Sequence, residues 1–207
     1  MYADDVILMS SSICELQKMV NVCNDEVTKL DMKVNTKKCS ILWFGARYLR
    51  PCVPVTIEGN VVEYSGKAKY LGVMLLAYKS FAVDSKFMKS KFYRAFNGIY
   101  HRVCKLKNEL VTVQMMNSFC KPYLLYATEC WGLTVTQMRS LRNSWQCAIS
   151  HVFNTTGESV NFICSMIDDM PLDLYILNRH INFLQNLMWS HAGHLVLNAV
   201  FRHAGRQ

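Results

Sequence analysis

The sequence predicts an α+β fold, and three observations carry that prediction. Over residues 1–81, short apolar runs alternate with turn residues and enclose one stretch of helical period. From about Ala82 onward the apolar residues recur at spacings of three and four, and the texture becomes helix only. The chain has 207 residues, 51% of them apolar and 18% charged, a globular balance with enough apolar surface to offset the entropy of ordering a core.

The elements follow in order. Asp4-Asp5 leads into Val6-Ile7-Leu8-Met9, an apolar run that reads as a buried strand. Ser12 and Glu15 have capping-box spacing, in which each side chain satisfies a free amide of the other's turn. Ile13, Leu16, Met19, Val20, Cys23, Val27 and Leu30 then mark one face of an amphipathic helix. Beyond it, Cys39 to Phe44 reads as a second strand stopped by Gly45. Val55-Thr56-Ile57 and Val61-Val62 flank Glu58-Gly59-Asn60, a hairpin in which Gly59 and Asn60 tolerate the positive φ of a tight turn. The run Tyr70 to Leu75 is a further strand.

In the helical part, Phe87, Met88, Phe92, Ala95, Phe96, Ile99 and Val103 form one stripe. Lys86, Lys89, Lys91, Arg94, Arg102, Lys105 and Lys107 occupy much of the rest of that helix. A second helix runs from about Val111 to Phe119, breaks near Pro122 and resumes over Tyr123 to Tyr126. A third carries Met138, Leu141, Trp145, Ile149 and Val152, and the tail adds helix around Ile163 and from Leu174 to Met188. The expected organisation is therefore 1–81, 82–155 and 156–207.

Charge and cysteine content narrow the function. Lys and Arg number 23 against 15 Asp and Glu, a net charge of +8 that favours polyanions through phosphate contacts and counterion release. The nine cysteines are odd in number and contain no C-x-x-C pair, so they are expected to be reduced, buried thiols without a disulfide or metal framework. Met1 is followed at once by Tyr2-Ala3-Asp4-Asp5, with neither a basic nor an apolar leader region, so an intracellular, cytoplasmic or nuclear location is expected. His180 to Phe201 lacks charged residues but is interrupted by Asn182, Gln185, Asn186, Ser190, His191, His194 and Asn198, which argues against a membrane span. His180, His191, His194 and His203 have no thiol pair at zinc spacing, and Asp168-Asp169 reads as a loop or cap.

Two adjacent carboxylates repel unless divalent cations neutralise them, and hard ions such as Mg²⁺ select carboxylate oxygens. Tyr2-Ala3-Asp4-Asp5 fits such a role, although four residues alone also describe a solvated acidic turn. Three further blocks accompany it. They are Leu30 to Cys39 with its Asn35-x-x-Lys38 element, Lys69-Tyr70-Leu71-Gly72-Val73, and Lys121-Pro122-Tyr123-Leu124-Leu125-Tyr126-Ala127-Thr128-Glu129-Cys130-Trp131-Gly132. In this order and at these spacings, they resemble the catalytic turn, the helix-to-strand block, the primer grip and a thumb signature of non-LTR, LINE-class retrotransposon reverse transcriptases. The resemblance spans roughly residues 1–155 and departs from the usual thumb form at Ala127, where Gly is commoner.

The resemblance implies a partial palm over 1–81, made of short antiparallel strands plus one helix, then a helical thumb over 82–155 and a helical extension over 156–207. It implies that Asp4 is a metal ligand, Asp5 its partner, and Mg²⁺ the cofactor. Tyr2 would lie beneath the primer terminus, and Leu71-Gly72 would steady the primer backbone. Lys38 matches a proton donor to departing pyrophosphate, and equally reads as a solvent-facing lysine at a strand edge. Lys86, Lys89, Lys91 and Arg94 would touch the RNA template–DNA primer duplex, or form a solvated face.

In this family the two-metal cage takes another aspartate from an upstream strand, and fingers hold the nucleotide. Starting at Met1, the chain is expected to bind Mg²⁺ weakly, to be inactive as a polymerase by itself, and to pair with an N-terminal half. Palm strands standing alone are expected to leave apolar faces and an edge exposed. The alternatives are a non-catalytic nucleic-acid-binding module and a decayed retroelement reading frame.

Overall fold

The computed structural model describes residues 4–46, 48, 53–103, 108–167, 170–190 and 193, and the fold is α+β. The chain divides into two compact units, Met1–Asp84 and Ser85–Gln207.

In the first unit, helix α1 (Ile13–Lys29) begins at Ser12, whose side chain accepts the Glu15 amide. The reciprocal half of the expected capping box takes another form. Ser10 Oγ accepts the Ser12 amide at 3.2 Å and lies 3.2 Å from Glu15 Oε2, so the serine stands between the two partners. The helix ends where Asp31 takes a φ of 54°. The Asp31 and Met32 amides bond back to the carbonyls of Thr28 and Val27, the double closure usually built on glycine. Helix α1 contacts β1, but none of the residues of its expected apolar stripe is fully buried.

Strands β1 (Val55–Ile57) and β2 (Asn60–Val62) form an antiparallel hairpin with Ile57 opposite Asn60. Its two-residue turn places Glu58 at φ 49° and Gly59 at φ 78°. Positive φ thus falls on Glu58 and Gly59, while Asn60 opens the second strand, because the ladder already closes at Ile57–Asn60. Val55, Ile57 and Val62 point inward and α1 packs beside them. Strands β3 (Lys67–Tyr70), β4 (Val73–Leu76) and β5 (Ala82–Val83) make a second antiparallel sheet. The run Tyr70 to Leu75 is therefore two strand ends joined by a turn at Leu71-Gly72.

Two expected strands do not form. Val6 to Met9 is irregular and largely solvent-facing, with Met9 82% exposed, since no described neighbour supplies a ladder or a cover for it. Cys39 to Phe44 reduces to one bridge between Ile41 and Tyr64, preceded by a 3₁₀ turn over Thr36–Lys38. Strand β2 ends at Val62, so only the Glu63 carbonyl and the Ser65 amide remain to pair with Ile41. Rings hold the rest of the segment: Trp43 meets Tyr64, Phe44 meets Phe81 and Tyr48 meets Tyr78.

The second unit is helical: α2 (Ser85–Val103), α3 (Glu109–Phe119), α4 (Lys121–Leu125), α5 (Val135–Phe153), α6 (Glu158–Ile167) and α7 (Leu172–Trp189). Met88, Phe92, Phe96 and Val103 are the buried part of the α2 stripe. The break in the second predicted helix falls at Cys120, and Pro122 sits in the first turn of α4, where its missing amide leaves no helical bond unmade. Helix α5 starts with a full capping box between Thr134 and Gln137. Phe92, Met116, Leu124, Leu141, Trp145 and Ile149 form the centre of the core, joined by Val160, Leu172 and Ile176 from the last two helices. Leu174, Leu177, Ile181, Leu184 and Met188 leave one side of α7 apolar and exposed. No helix among the described residues is long and apolar enough to cross a membrane.

The expectation of buried thiols holds for Cys120 alone among the described cysteines. Cys14, Cys130 and Cys147 are exposed, and Cys23, Cys39 and Cys164 are partly buried. Cys52, Cys104, Asp168, Asp169, His191, His194 and His203 lie outside the described residues.

Candidate nucleic-acid interface and carboxylate turn

Asp4 and Asp5 are adjacent and exposed, and no ion pair between described residues joins either to Lys38. Their oxygens are of the kind Mg²⁺ takes, and that ion ordinarily keeps several waters beside one or two carboxylates. Among the described residues, no group of three His, Cys, Asp or Glu converges around them. Tyr2 lies outside the described residues.

Lys38 ends the 3₁₀ turn, which Asn35 shapes by accepting the Lys38 amide at 3.0 Å. Its side chain is exposed, and its segment is no strand edge. Leu71 and Gly72 form a two-residue turn between β3 and β4 with φ of 44° and 82°. Glycine takes the second value freely, whereas leucine in the left-handed region costs about 1–2 kcal/mol. The turn is held by four ladder positions, from Lys67 opposite Leu76 to Tyr70 opposite Val73.

The basic residues of α2 do not share one face. Lys86, Lys89 and Tyr93 are spaced for one side of the helix, and Lys91 and Arg94 for another. Lys91 Nζ sits 4.5 Å from the Phe87 ring centroid. Lys89 Nζ donates to Ser140 Oγ on α5 at 2.7 Å. Lys105 and Lys107 lie outside the described residues.

Lys89 and Tyr93 form one wall of an open trough of about 360 Å³, and Thr136, Arg139, Ser140, Asn143, Ser144 and Cys147 of α5 complete it. No carboxylate lines it. One turn further along α5, Arg142 is neutralised by Asp173 at 2.7 Å, whereas Arg139 is exposed and has no described acidic partner. The α5 contribution escaped the reading from sequence, which weighed only the apolar positions of that helix. Its signal was present in the polar residues 136, 139, 140 and 143, which repeat at helical spacing.

The segment from Lys121 to Gly132 ties the helical unit together. Lys121 Nζ lies 4.9 Å from the Trp145 ring and 5.7 Å from the Tyr175 ring. Ala127 adopts φ 57°, the conformation that the commoner glycine would take without strain. Thr128 is buried and its hydroxyl donates to the Leu125 carbonyl at 2.9 Å. Arg179 of α7 donates to Glu129 Oε1 at 2.8 Å, a bond that raises the guanidinium pKa while burial opposes it. His180 Nδ1 lies 2.7 Å from the Glu129 carbonyl oxygen, which fixes a proton on that nitrogen.

The sequence model of a family described as reverse transcriptase (RNA-dependent DNA polymerase) matches residues 1–75, which contain the carboxylate turn, the Asn35–Lys38 element and the Leu71-Gly72 turn. Over 151 residues, 68% of this chain, it is 24% identical to the RNA-directed DNA polymerase from mobile element jockey of Drosophila funebris. The chain is therefore similar to reverse transcriptases of LINE-type mobile elements. A second relative, a probable RNA-directed DNA polymerase from transposon BS of Drosophila melanogaster, is 25% identical over 166 residues, 70% of this chain. The alignments reach beyond the matched family segment, so they take in part of the helical unit. This reverse-transcriptase-like chain spans only 16% and 18% of the lengths of those relatives. No solved structure matches it. These likenesses support a reverse-transcriptase-like fragment and do not favour the alternative of a non-catalytic nucleic-acid-binding module or decayed reading frame.

Proposed function

We propose that this chain contributes the primer-holding and duplex-holding parts of an RNA-directed DNA polymerase, with the first unit as palm and the helical unit as thumb. The observation that carries the reading is the coincidence of the Asp4-Asp5 turn and the strained but well-laddered Leu71-Gly72 turn within the family-matched residues 1–75.

In this reading Asp4 and Asp5 hold Mg²⁺. When bound, the ion supplies charge neutralisation and activation of a primer hydroxyl. Tyr2 is assigned to the primer terminus by the family resemblance alone. The rigid turn at Leu71-Gly72 lets the chain approach the primer backbone closely, because glycine presents no Cβ there. Lys38, with its ammonium exposed, is the residue free to meet a departing pyrophosphate. The substrate is an RNA template paired with a DNA primer, recognised through its backbone and not its sequence.

Fluorescence anisotropy with a labelled RNA–DNA primer-template tests this. Binding is expected to tighten on adding Mg²⁺, and Asp4→Asn with Asp5→Asn is expected to remove the Mg²⁺ dependence while leaving basal binding. Failure to bind the hybrid, or a Mg²⁺ dependence indifferent to both substitutions, contradicts the assignment.

A further inference from the structure

Helix α7 has two faces of different character. Leu172 and Ile176 are buried in the core, and the two charged side chains of the helix turn inward beside them. Asp173 meets Arg142 at 2.7 Å, and Arg179 meets Glu129 at 2.8 Å. His180 joins them, with Nδ1 2.7 Å from the Glu129 carbonyl oxygen. These contacts fix the rotation of the helix and leave Leu174, Leu177, Ile181, Leu184 and Met188 53, 47, 44, 42 and 55% exposed. We infer that this outer face is the seam of a two-fold pairing between two copies of the chain.

Spacing specifies a helix as the occupant. The five residues recur at intervals of three, four, three and four, the period of 3.5 that keeps apolar knobs in line toward a facing helix. Charge then selects a second copy. The other exposed residues over this part of α7 are Tyr175, Asn178, Asn182, Gln185, Asn186 and Trp189, and none is charged. Two such faces meet without repulsion, although the chain as a whole carries +8. Side-chain amides both donate and accept, so one face supplies both halves of each hydrogen bond across a two-fold axis. A polyanion or an anionic membrane surface calls for Lys or Arg beside the apolar stripe, and α7 exposes neither.

The size agrees with a reversible pair. Together with Trp189, which is 86% exposed, the seam leaves on the order of 600 Å² of apolar surface bare, the upper range for a soluble monomer. Covering it on both copies removes roughly 1,200 Å², the lower limit of a specific interface. Pairing through α7 uses no residue of the carboxylate turn or the Leu71-Gly72 turn, so it holds or fails independently of the proposed function.

Sedimentation velocity of the full chain across a concentration series tests the pairing. A monomer–dimer equilibrium with a dissociation constant on the order of 10 μM is expected for an interface of this size. Ile181→Glu, which sets two carboxylates against each other in the seam, should weaken it on the order of a hundredfold, and Leu184→Glu should do the same. Both positions are already partly solvated, so the far-ultraviolet dichroism of each variant should match the parent. Leu110→Glu, the same change at a 70% exposed leucine of α3, is the control and should leave the dimer intact. A chain that stays monomeric throughout, or a dimer that survives both seam substitutions, would overturn the pairing. Alkylation of an Ile181→Cys chain identifies what covers the face. Protection that appears only as concentration rises is the expected result. Protection at every concentration would mean that α7 is covered within its own copy, and reactivity at every concentration that nothing covers it; either would overturn the pairing.

Discussion

Gln17 and Thr56 exchange two hydrogen bonds: the Gln17 amide donates to the Thr56 carbonyl at 2.8 Å and accepts the Thr56 N–H at 2.9 Å. The side chain of a helix residue thus completes the outer edge of β1 as a neighbouring strand would. Replacing Gln17 by Leu keeps the helix but leaves both Thr56 backbone groups without this partner. The expected cost is about 1–3 kcal/mol, read from urea unfolding of the first unit by near-ultraviolet signals. An unchanged midpoint would mean that solvent replaces the pair without penalty.

Ala127 holds a left-handed conformation that glycine adopts freely. Ala127→Gly should stabilise the helical unit by about 0.5–1 kcal/mol, the relief of the left-handed penalty less the added entropy of the unfolded chain. Ala127→Val should destabilise it further. Thermal melts of the three proteins give the order Gly above Ala above Val, and a reversed order would refute the strain.

Trp145 is 2% exposed and is the largest side chain in the core of the helical unit. It touches Phe92 at 6.3 Å between ring centroids and lies under Lys121. Trp145→Ala should cost about 3–5 kcal/mol, as removal of a buried aromatic leaves a cavity. Lys121→Met, which keeps the stem and removes the charge, should cost far less. Equal losses would show that the cation, not the packing, holds this junction.

Burial pushes the Cys120 thiol up to about 11. Only the thiolate reacts, so at pH 8 roughly one molecule in a thousand carries it, and the fraction grows tenfold for each pH unit until the pKa is reached. Alkylation located by mass spectrometry should label exposed Cys14 and Cys147 well before Cys120. Cys120 labelling as fast as theirs at pH 8 would mean that the core opens on the labelling timescale.

The helices were legible in the sequence because one buried face repeats at constant spacing, as Met88, Phe92 and Phe96 do. Strands of two to four residues offer no such repetition. Val6 to Met9 and Cys39 to Phe44 are apolar enough for strands, but an apolar run does not say whether a partner ladder exists, and here one bridge at Ile41 is all that forms. The turns were half legible. Gly59 announced positive φ, whereas Gly72 stood inside a run read as one strand, and Glu58 and Leu71 take positive φ only because the ladders on either side dictate a two-residue loop. At the site, adjacent residues such as Asp4 and Asp5 could be read directly. The Lys89–Ser140 contact, which joins the two walls of the trough, links residues 51 apart and has no local signature.

The most direct test of the account places a photoreactive nucleotide at the 3′ end of the DNA primer, hybridised to RNA, and maps its crosslinks on the chain. Crosslinks at the Asp4-Asp5 turn and at Leu71-Gly72, lost in excess unlabelled hybrid, are the result the account predicts. Crosslinks confined to other segments, or insensitive to competitor, would contradict it.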